Sequence, residues 1–225
     1  MILKADSISK RYFRPTGQAN YFEAVKPLSL TLASGAVTVL MGRSGSGKTT
    51  LLHMLSGLLT PTSGKVLLDE TDLYSLKDGA LSCLRNEKIA VVPQGRSAVD
   101  TLTALENILL PWQLCRKNAP VERAEHWMEA LGIAALRDVP AKELSGGELR
   151  RAAIARALCQ ETPVLMADEP TGDLDDENTR LALSILKDAA KRENKTVLIV
   201  THESEARAFA DEIWKMDGGT LHPEQ

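Results

Sequence analysis

Short apolar runs separated by turn residues set the layout of this chain. Val37–Met41, Ile89–Val92, Val164–Ala167 and Thr196–Val200 carry almost no polar interruption. Runs of that length bounded by turn signals read as strands, and those at 164–167 and 196–200 as strands buried on both faces. Leu28–Leu32 alternates apolar and polar residues, as a half-buried strand does, and Ile2–Ser9 and Lys65–Asp69 read as further strands. Apolar spacings of three and four predict helices over Ala104–Cys115 and Val121–Leu131. Pro111 is expected to interrupt the first. Pro120 opens the second and Gly132 ends it. Asp176–Arg192 predicts an amphipathic helix, with Leu181, Ile185 and Leu186 on one face and acids in its first turn. Leu51–Leu55 and Leu76–Asn86 read as shorter helices. Arg14–Asn20, Thr60–Gly64 and Pro170–Asp175 read as turns. Glu212–Met216 and Thr220–His222 predict a terminal hairpin across Asp217-Gly218-Gly219. The expected architecture is an α/β frame, with a strand-free helical lobe inserted from Thr103 to about Ala141.

Composition narrows the picture. The 225 residues suit one large domain, or one domain with an inserted lobe, and 44% hydrophobic content is ample for a core. A formal net charge of −3, with both signs interspersed, gives no electrostatic ground for nucleic-acid binding. No apolar run approaches the roughly 20 residues that cross a bilayer. Met1–Asp6 has no signal-peptide layout, so the chain is expected to be soluble and cytosolic. Cys83, Cys115 and Cys159 are isolated, with neither metal-type spacing nor an even count for disulfides.

The chemistry concentrates at a few places. Gly42-Arg43-Ser44-Gly45-Ser46-Gly47-Lys48-Thr49-Thr50 lies between a predicted strand and a predicted helix and matches G-x-x-x-x-G-K-[ST]. Its glycines let the backbone turn so that N–H groups converge on phosphate oxygens, and the helix adds its positive end. Lys48 is expected on the β- and γ-phosphates, and the Thr49 hydroxyl on Mg²⁺. Asp168 and Glu169 emerge at the end of a buried strand. Asp168 can hold Mg²⁺ beside Thr49, and Glu169 can orient or deprotonate an attacking water. Ser145 and Glu148 form a capping-box pattern, but Gly146 and Gly147 cost backbone entropy and clear the helix start for a phosphate. Two phosphate-type helix starts in one chain require two sites or one composite site. Gln94 and His202 sit where predicted strands open into loops, the edge that faces ligands in open α/β sheets. A loop residue is the default reading of Gln94; the His202 imidazole could contact a γ-phosphate, but by itself it reads more often as a surface histidine. Tyr12 is either a packing residue or a ring stacked on adenine.

Taken together, these motifs resemble the ATP-binding subunit of an ATP-binding cassette (ABC) transporter, from about Ile2 to Leu221. The order is Walker A at Gly42–Thr49, Q-loop Gln94, signature Leu144–Glu148, Walker B Val164–Glu169, D-loop Thr171–Asp175 and switch His202. The resemblance implies a P-loop core with an N-terminal antiparallel β subdomain and an α-helical subdomain at about 95–160, in one domain spanning 1–225. It implies catalytic roles for Glu169, His202 and Gln94, with ATP and Mg²⁺ as cofactors. Nucleotide would contact Tyr12, Gly42 to Thr50 and, from a second subunit, Ser145, Gly146, Gly147 and Glu148. Thr49, Gln94 and Asp168 would serve the metal. The implied partners are a second cassette and an integral-membrane permease, with the chain peripheral on the inner face of the membrane and no nucleic acid. A mechanical or regulatory ATPase on a non-transporting membrane partner fits the same motifs. Arg85–Ile89, Thr103–Ile108 and Asp168–Gly172 look like the lipoprotein-releasing, macrolide-exporter-type and antimicrobial-peptide-transport cassettes, which implies export or extraction of a lipoprotein, peptide or drug. Gly95–Asp100 departs from that subgroup, which usually carries aromatic and bulky apolar residues there. Arg43, where Pro is common, and Glu148, where Gln is common, are smaller departures.

Overall fold

A computed structural model of the chain describes residues 1–16, 19–115 and 118–224. The elements in chain order are β1 (Leu3–Thr16), β2 (Ala19–Leu32), β3 (Val37–Met41), α1 (Lys48–Leu55), β4 (Ser63–Leu68), β5 (Thr71–Asp72), α2 (Asp78–Lys88), β6 (Ile89–Val92), α3 (Ala104–Cys115), α4 (Val121–Ala130), α5 (Gly146–Cys159), β7 (Val164–Asp168), α6 (Asp176–Arg192), β8 (Thr196–Thr201), β9 (Glu212–Asp217) and β10 (Thr220–Glu224). One sheet has the order β10-β9-β3-β8-β7-β6 and is parallel apart from β10. The second, β2-β1-β4-β5, is antiparallel.

The apolar runs exist because the parallel sheet is covered on both faces. Side chains alternate across a strand, so each run feeds two cores. Val37, Val39, Leu165, Ala167, Val197 and Ile199 face the cluster that also contains residues of α3, α4, α5 and α6. Leu40, Val164, Met166, Leu198 and Val200 face the cluster shared with α1 and the antiparallel sheet. Polar residues on either face would each forfeit about 1.5–3 kcal/mol of side-chain burial, which excludes an alternating pattern here.

The helical segment is organised from its entrance. Asn107, 1% exposed, accepts from the Val99 N–H at 2.8 Å and donates to the carbonyls of Val99, Leu102 and Thr103. It thereby closes the turn that leads into α3. The Trp112 indole N–H donates to the Cys159 carbonyl at 3.2 Å, joining α3 to the end of α5. Among the described residues no helix is long and apolar enough to cross a membrane.

Several elements differ from the sequence-based expectation. β1 continues to Thr16 and β2 begins at Ala19, so most of the expected 14–20 turn is strand; Gly17 and Gln18 lie outside the described residues. Cross-strand pairing, with register shifts near Ser7 and Ser9, carries the hairpin past its polar sequence. α3 runs through Pro111 without breaking. The lost helical bond costs roughly 3 kcal/mol, and burial of Ile108 and Leu109 in the same helix offsets it. In α6 the buried face is Thr179, Ala182, Leu183, Leu186, Ala189 and Ala190, whereas Leu181 is 37% exposed. Small residues let α6 approach the sheet closely, and they carry little weight in a hydrophobic pattern. α2 lies two residues later than expected. The α5 capping box, the α6 span and the terminal hairpin follow the expectation.

Candidate functional site

Parallel strands β3, β6, β7 and β8 all end at one edge of the sheet, and the loops leaving that edge line a cleft of about 580 Å³. β3 delivers Gly42, and the loop returns to start α1 at Lys48. The loop's curvature demands glycine at two points. Gly47 has φ +107°, and a Cβ there would lie 2.3 Å from the Ala24 carbonyl oxygen. Gly42 has φ +156°, and a Cβ would lie 2.3 Å from the Met216 carbonyl oxygen. Because the N-cap is Gly47, no side chain caps the first-turn N–H groups of α1. Lys48 is 7% exposed, and its ammonium donates to the carbonyls of Gly42 at 2.7 Å and Arg43 at 3.1 Å. A buried cation, uncapped helical N–H groups and a dipole's positive end together form an anion site.

The acidic part lies beside it. Asp168 is 1% exposed, and neither of its carboxylate oxygens has a hydrogen-bond partner. Burial pushes its pKa up. The Thr49 hydroxyl opposes that shift without reaching full hydrogen-bond geometry; Glu169 adds to it, and His53 and Lys48 oppose it. An unpartnered, desolvated carboxylate near a hydroxyl fits a hard divalent cation such as Mg²⁺, which takes oxygen donors and shares its shell with substrate phosphates. Among the described residues no cluster of three His, Cys, Asp or Glu side chains forms an all-protein metal cage.

Glu169 sits one residue past the end of β7 in the left-handed region, φ +48°. Its N–H donates to the Val200 carbonyl at 2.7 Å, which anchors the turn to β8. The carboxylate accepts from the Thr201 hydroxyl at 3.1 Å and lies 3.0 Å from His202 Nδ1 through each oxygen. Those contacts hold the His202 pKa above its ordinary value, the hydrogen bond to Glu169 contributing most. His202 is largely exposed and Glu169 largely buried, so the pair spans the cleft wall.

Tyr12 and Phe22 are cross-strand partners in the β1–β2 hairpin, and both border the cleft. At 40% exposure Tyr12 is not a core residue. Arg43, Ser44, Gly45, Gly47, Lys48, Thr49, Thr50, Gln94, Glu169 and His202 line the same cleft. Gly42 and Ser46 sit on the loop's inner side: Gly219 donates its N–H to the Ser46 carbonyl at 3.0 Å. The Ser46 hydroxyl is buried without a partner. Phe22 was not foreseen. Its only signal is pairing with Tyr12, which becomes visible once the hairpin register is known.

The signature residues are elsewhere. Ser145, Gly146 and Gly147 line a separate hollow of about 430 Å³ with Arg151, Asp173, Leu174, Asp175 and Asn178. Glu148 is occupied locally: its carboxylate accepts from the Ser145 N–H and hydroxyl, both at 2.8 Å, and these two bonds hold its pKa below the usual carboxylate range. One chain therefore carries a cleft and a second hollow that do not merge.

Comparison with known proteins agrees with this geometry. Residues 25–172 match the family model described as ABC transporter. The lipoprotein-releasing system ATP-binding protein LolD of Acinetobacter baylyi is 36% identical over 222 residues, covering 97% of this chain and 96% of LolD. The uncharacterized ABC transporter ATP-binding protein YvcR of Bacillus subtilis is 34% identical over 225 residues, covering 99% and 86%. The dimeric post-hydrolysis structure of the cassette MJ0796, bound to ADP and Pi, superposes with a TM-score of 0.92 at 31% identity, covering 99% and 98%. The cassette MJ1267 in its ADP conformation superposes at 0.80 with 25% identity, covering 98% and 89%. With a cleft at the sheet edge lined by the phosphate loop, a family model over residues 25–172 and relatives matched over most of their length, this chain belongs to the ABC transporter ATP-binding family and is an ATPase cassette of that kind.

Proposed function

We propose that this cassette binds Mg²⁺-ATP between two chains, hydrolyses it with Glu169 as the base, and transmits closure and reopening to an integral-membrane permease. The observation that carries this reading is the separation of the two half-sites. The cleft supplies Lys48, the loop N–H groups, Thr49 and Glu169, with Asp168 buried beside Thr49, whereas Ser145 to Gly147 border a different hollow. A second copy placed head to tail brings its hollow over the first copy's cleft. That the similar cassette MJ0796 is dimeric in its solved structures supports pairing of two copies.

In this scheme the roles divide by position. Tyr12 stacks on the base, Arg43 to Thr50 and Lys48 hold the phosphates, and Thr49, Asp168 and Gln94 hold Mg²⁺, which neutralises phosphate charge when bound. Glu169 accepts the proton of the attacking water, and His202 orients the Glu169 carboxylate. The partner copy's Ser145, Gly146 and Gly147 close over the terminal phosphate, with Glu148 holding that turn through its cap bonds. ATP favours the closed dimer because it binds that state better than the open one. The chain is then a single cassette domain with its helical lobe at about 95–160, held at the inner face of the membrane by its permease. Similarity to LolD, an ATP-binding protein of a lipoprotein-releasing system, supports a lipoprotein or a similar amphiphile as cargo, by extraction or export.

Glu169→Gln tests the scheme. Hydrolysis is expected to fall by about 10²–10⁴-fold with ATP binding retained, and sizing with ATP and Mg²⁺ should show a dimer. Wild-type turnover by this variant would remove Glu169 from the base role, and a monomer at saturating ATP would remove the composite site.

A further inference from the structure

The two half-sites are separate hollows, yet a single side chain joins them. Arg150 lies in the second turn of α5 and is 5% exposed. One terminal nitrogen donates to the Pro93 carbonyl at 2.8 Å, immediately before Gln94 at the cleft. The other pairs with the Asp173 carboxylate at 3.4 Å, in the turn that backs Gly146 and Gly147. The Arg150 Nε has no partner. Further along the same helix, the Arg156 guanidinium donates to the Ser97 carbonyl at 3.1 Å, so α5 grips the Gln94 loop on both sides.

A buried guanidinium with an unpaired nitrogen is a poor device for stability, because desolvating the cation offsets its contacts. What it supplies is direction: a planar fork fixes two acceptors relative to each other. We infer that Arg150 is a positioning residue that sets the spacing between the Gln94 side of the cleft and the Ser145–Gly147 face offered to a partner copy. It does not line the nucleotide cleft. This rests on the composite-site reading above. Loss of the fork leaves each half-site built and lets their relative placement drift, so the penalty falls on association and turnover and spares nucleotide capture by one chain.

The test introduces Arg150→Met, and separately Arg150→Lys, into the Glu169→Gln chain for sizing and into the wild-type chain for kinetics. ATP affinity of the monomer is expected to stay within about twofold, while ATP-driven dimerisation weakens and kcat falls, each on the order of tenfold. Arg150→Lys keeps the charge but cannot fork to both acceptors, so it should rescue only partly. If the parent Glu169→Gln chain does not dimerise with ATP, the composite-site reading fails. If the parent dimerises and both variants match it, the Arg150 inference fails. Loss of monomer ATP affinity in parallel with dimerisation also overturns it, because the role is then general support of the fold. Should Arg150→Met not fold, the same comparison on Arg150→Lys decides.

Discussion

Two glycine-rich helix starts in this chain look alike in sequence and differ in kind. At the start of α1 the backbone is contorted, Gly42 and Gly47 sit at positive φ, and a Cβ at either position would collide with backbone oxygen. At the start of α5 the Ser145–Glu148 capping box is complete. A Cβ added to Gly146 there would meet Asp173 at an ordinary 3.6 Å; at Gly147 it would lie 3.0 Å from the Asp173 carbonyl. The first loop needs its glycines to fold. Among the described residues nothing crowds a Cβ at 146 closer than ordinary contact, and glycine carries more unfolded-state entropy than alanine. In the proposed composite site, the demand for a bare backbone at that point comes from the partner copy's nucleotide.

Substitutions break or sharpen this contrast. Gly47→Ala should have the largest effect. Backbone overlap and left-handed strain, the latter alone worth about 1–3 kcal/mol, should lower the melting temperature and abolish ATP binding. A variant that binds ATP normally would remove the steric argument. Gly146→Ala is expected to leave the monomer as stable or slightly more stable in a thermal melt, and its ATP affinity unchanged. Turnover should nevertheless drop about tenfold, because the added methyl stands where the partner's phosphate must approach. Full activity would show that this helix start faces solvent only.

The smallest effect concerns the α5 cap. The Glu148 pKa is depressed in the folded chain by its bonds from Ser145. Its contribution is therefore present above the unfolded value of about 4.3 and is lost as pH falls through the depressed folded value. The group is half-buried with solvent access, so a few tenths of a kcal/mol is the expected scale. Glu148→Gln keeps an acceptor for the cap without titrating, so the stability gap between wild type and variant should narrow below about pH 4.3 and close as pH falls through the depressed folded value. An unchanged gap there would mean that the carboxylate charge does not matter to the cap.

Much of the site was legible because phosphate chemistry imposes residue types at fixed spacings. Gly42 to Thr50, Asp168 and Glu169 announce themselves through a loop and a strand end that few other purposes require. Gln94, His202 and Tyr12 were ambiguous by themselves, since a single polar or aromatic residue at a strand end or on a hairpin has many uses. Phe22, Thr201 and Arg150 gave no signal. Phe22 depends on the β1–β2 register, Thr201 on which atom of Glu169 it meets, and Arg150 on a carbonyl 57 residues away and a carboxylate 23 residues away in sequence.

Local physics is readable along a chain. A strand covered on both faces must be apolar throughout, a phosphate loop must shed side chains, and a helix must cap its first turn, so runs, glycines and capping residues were all visible in order. Tertiary structure decided what depends on pairing and packing. It carried β1 and β2 through a polar stretch, kept α3 intact across Pro111, and turned α6 so that its small residues rather than Leu181 met the sheet. It also set the cleft and the signature hollow apart. Distances between segments remote in sequence are fixed by the packing of the whole, and no local pattern encodes them.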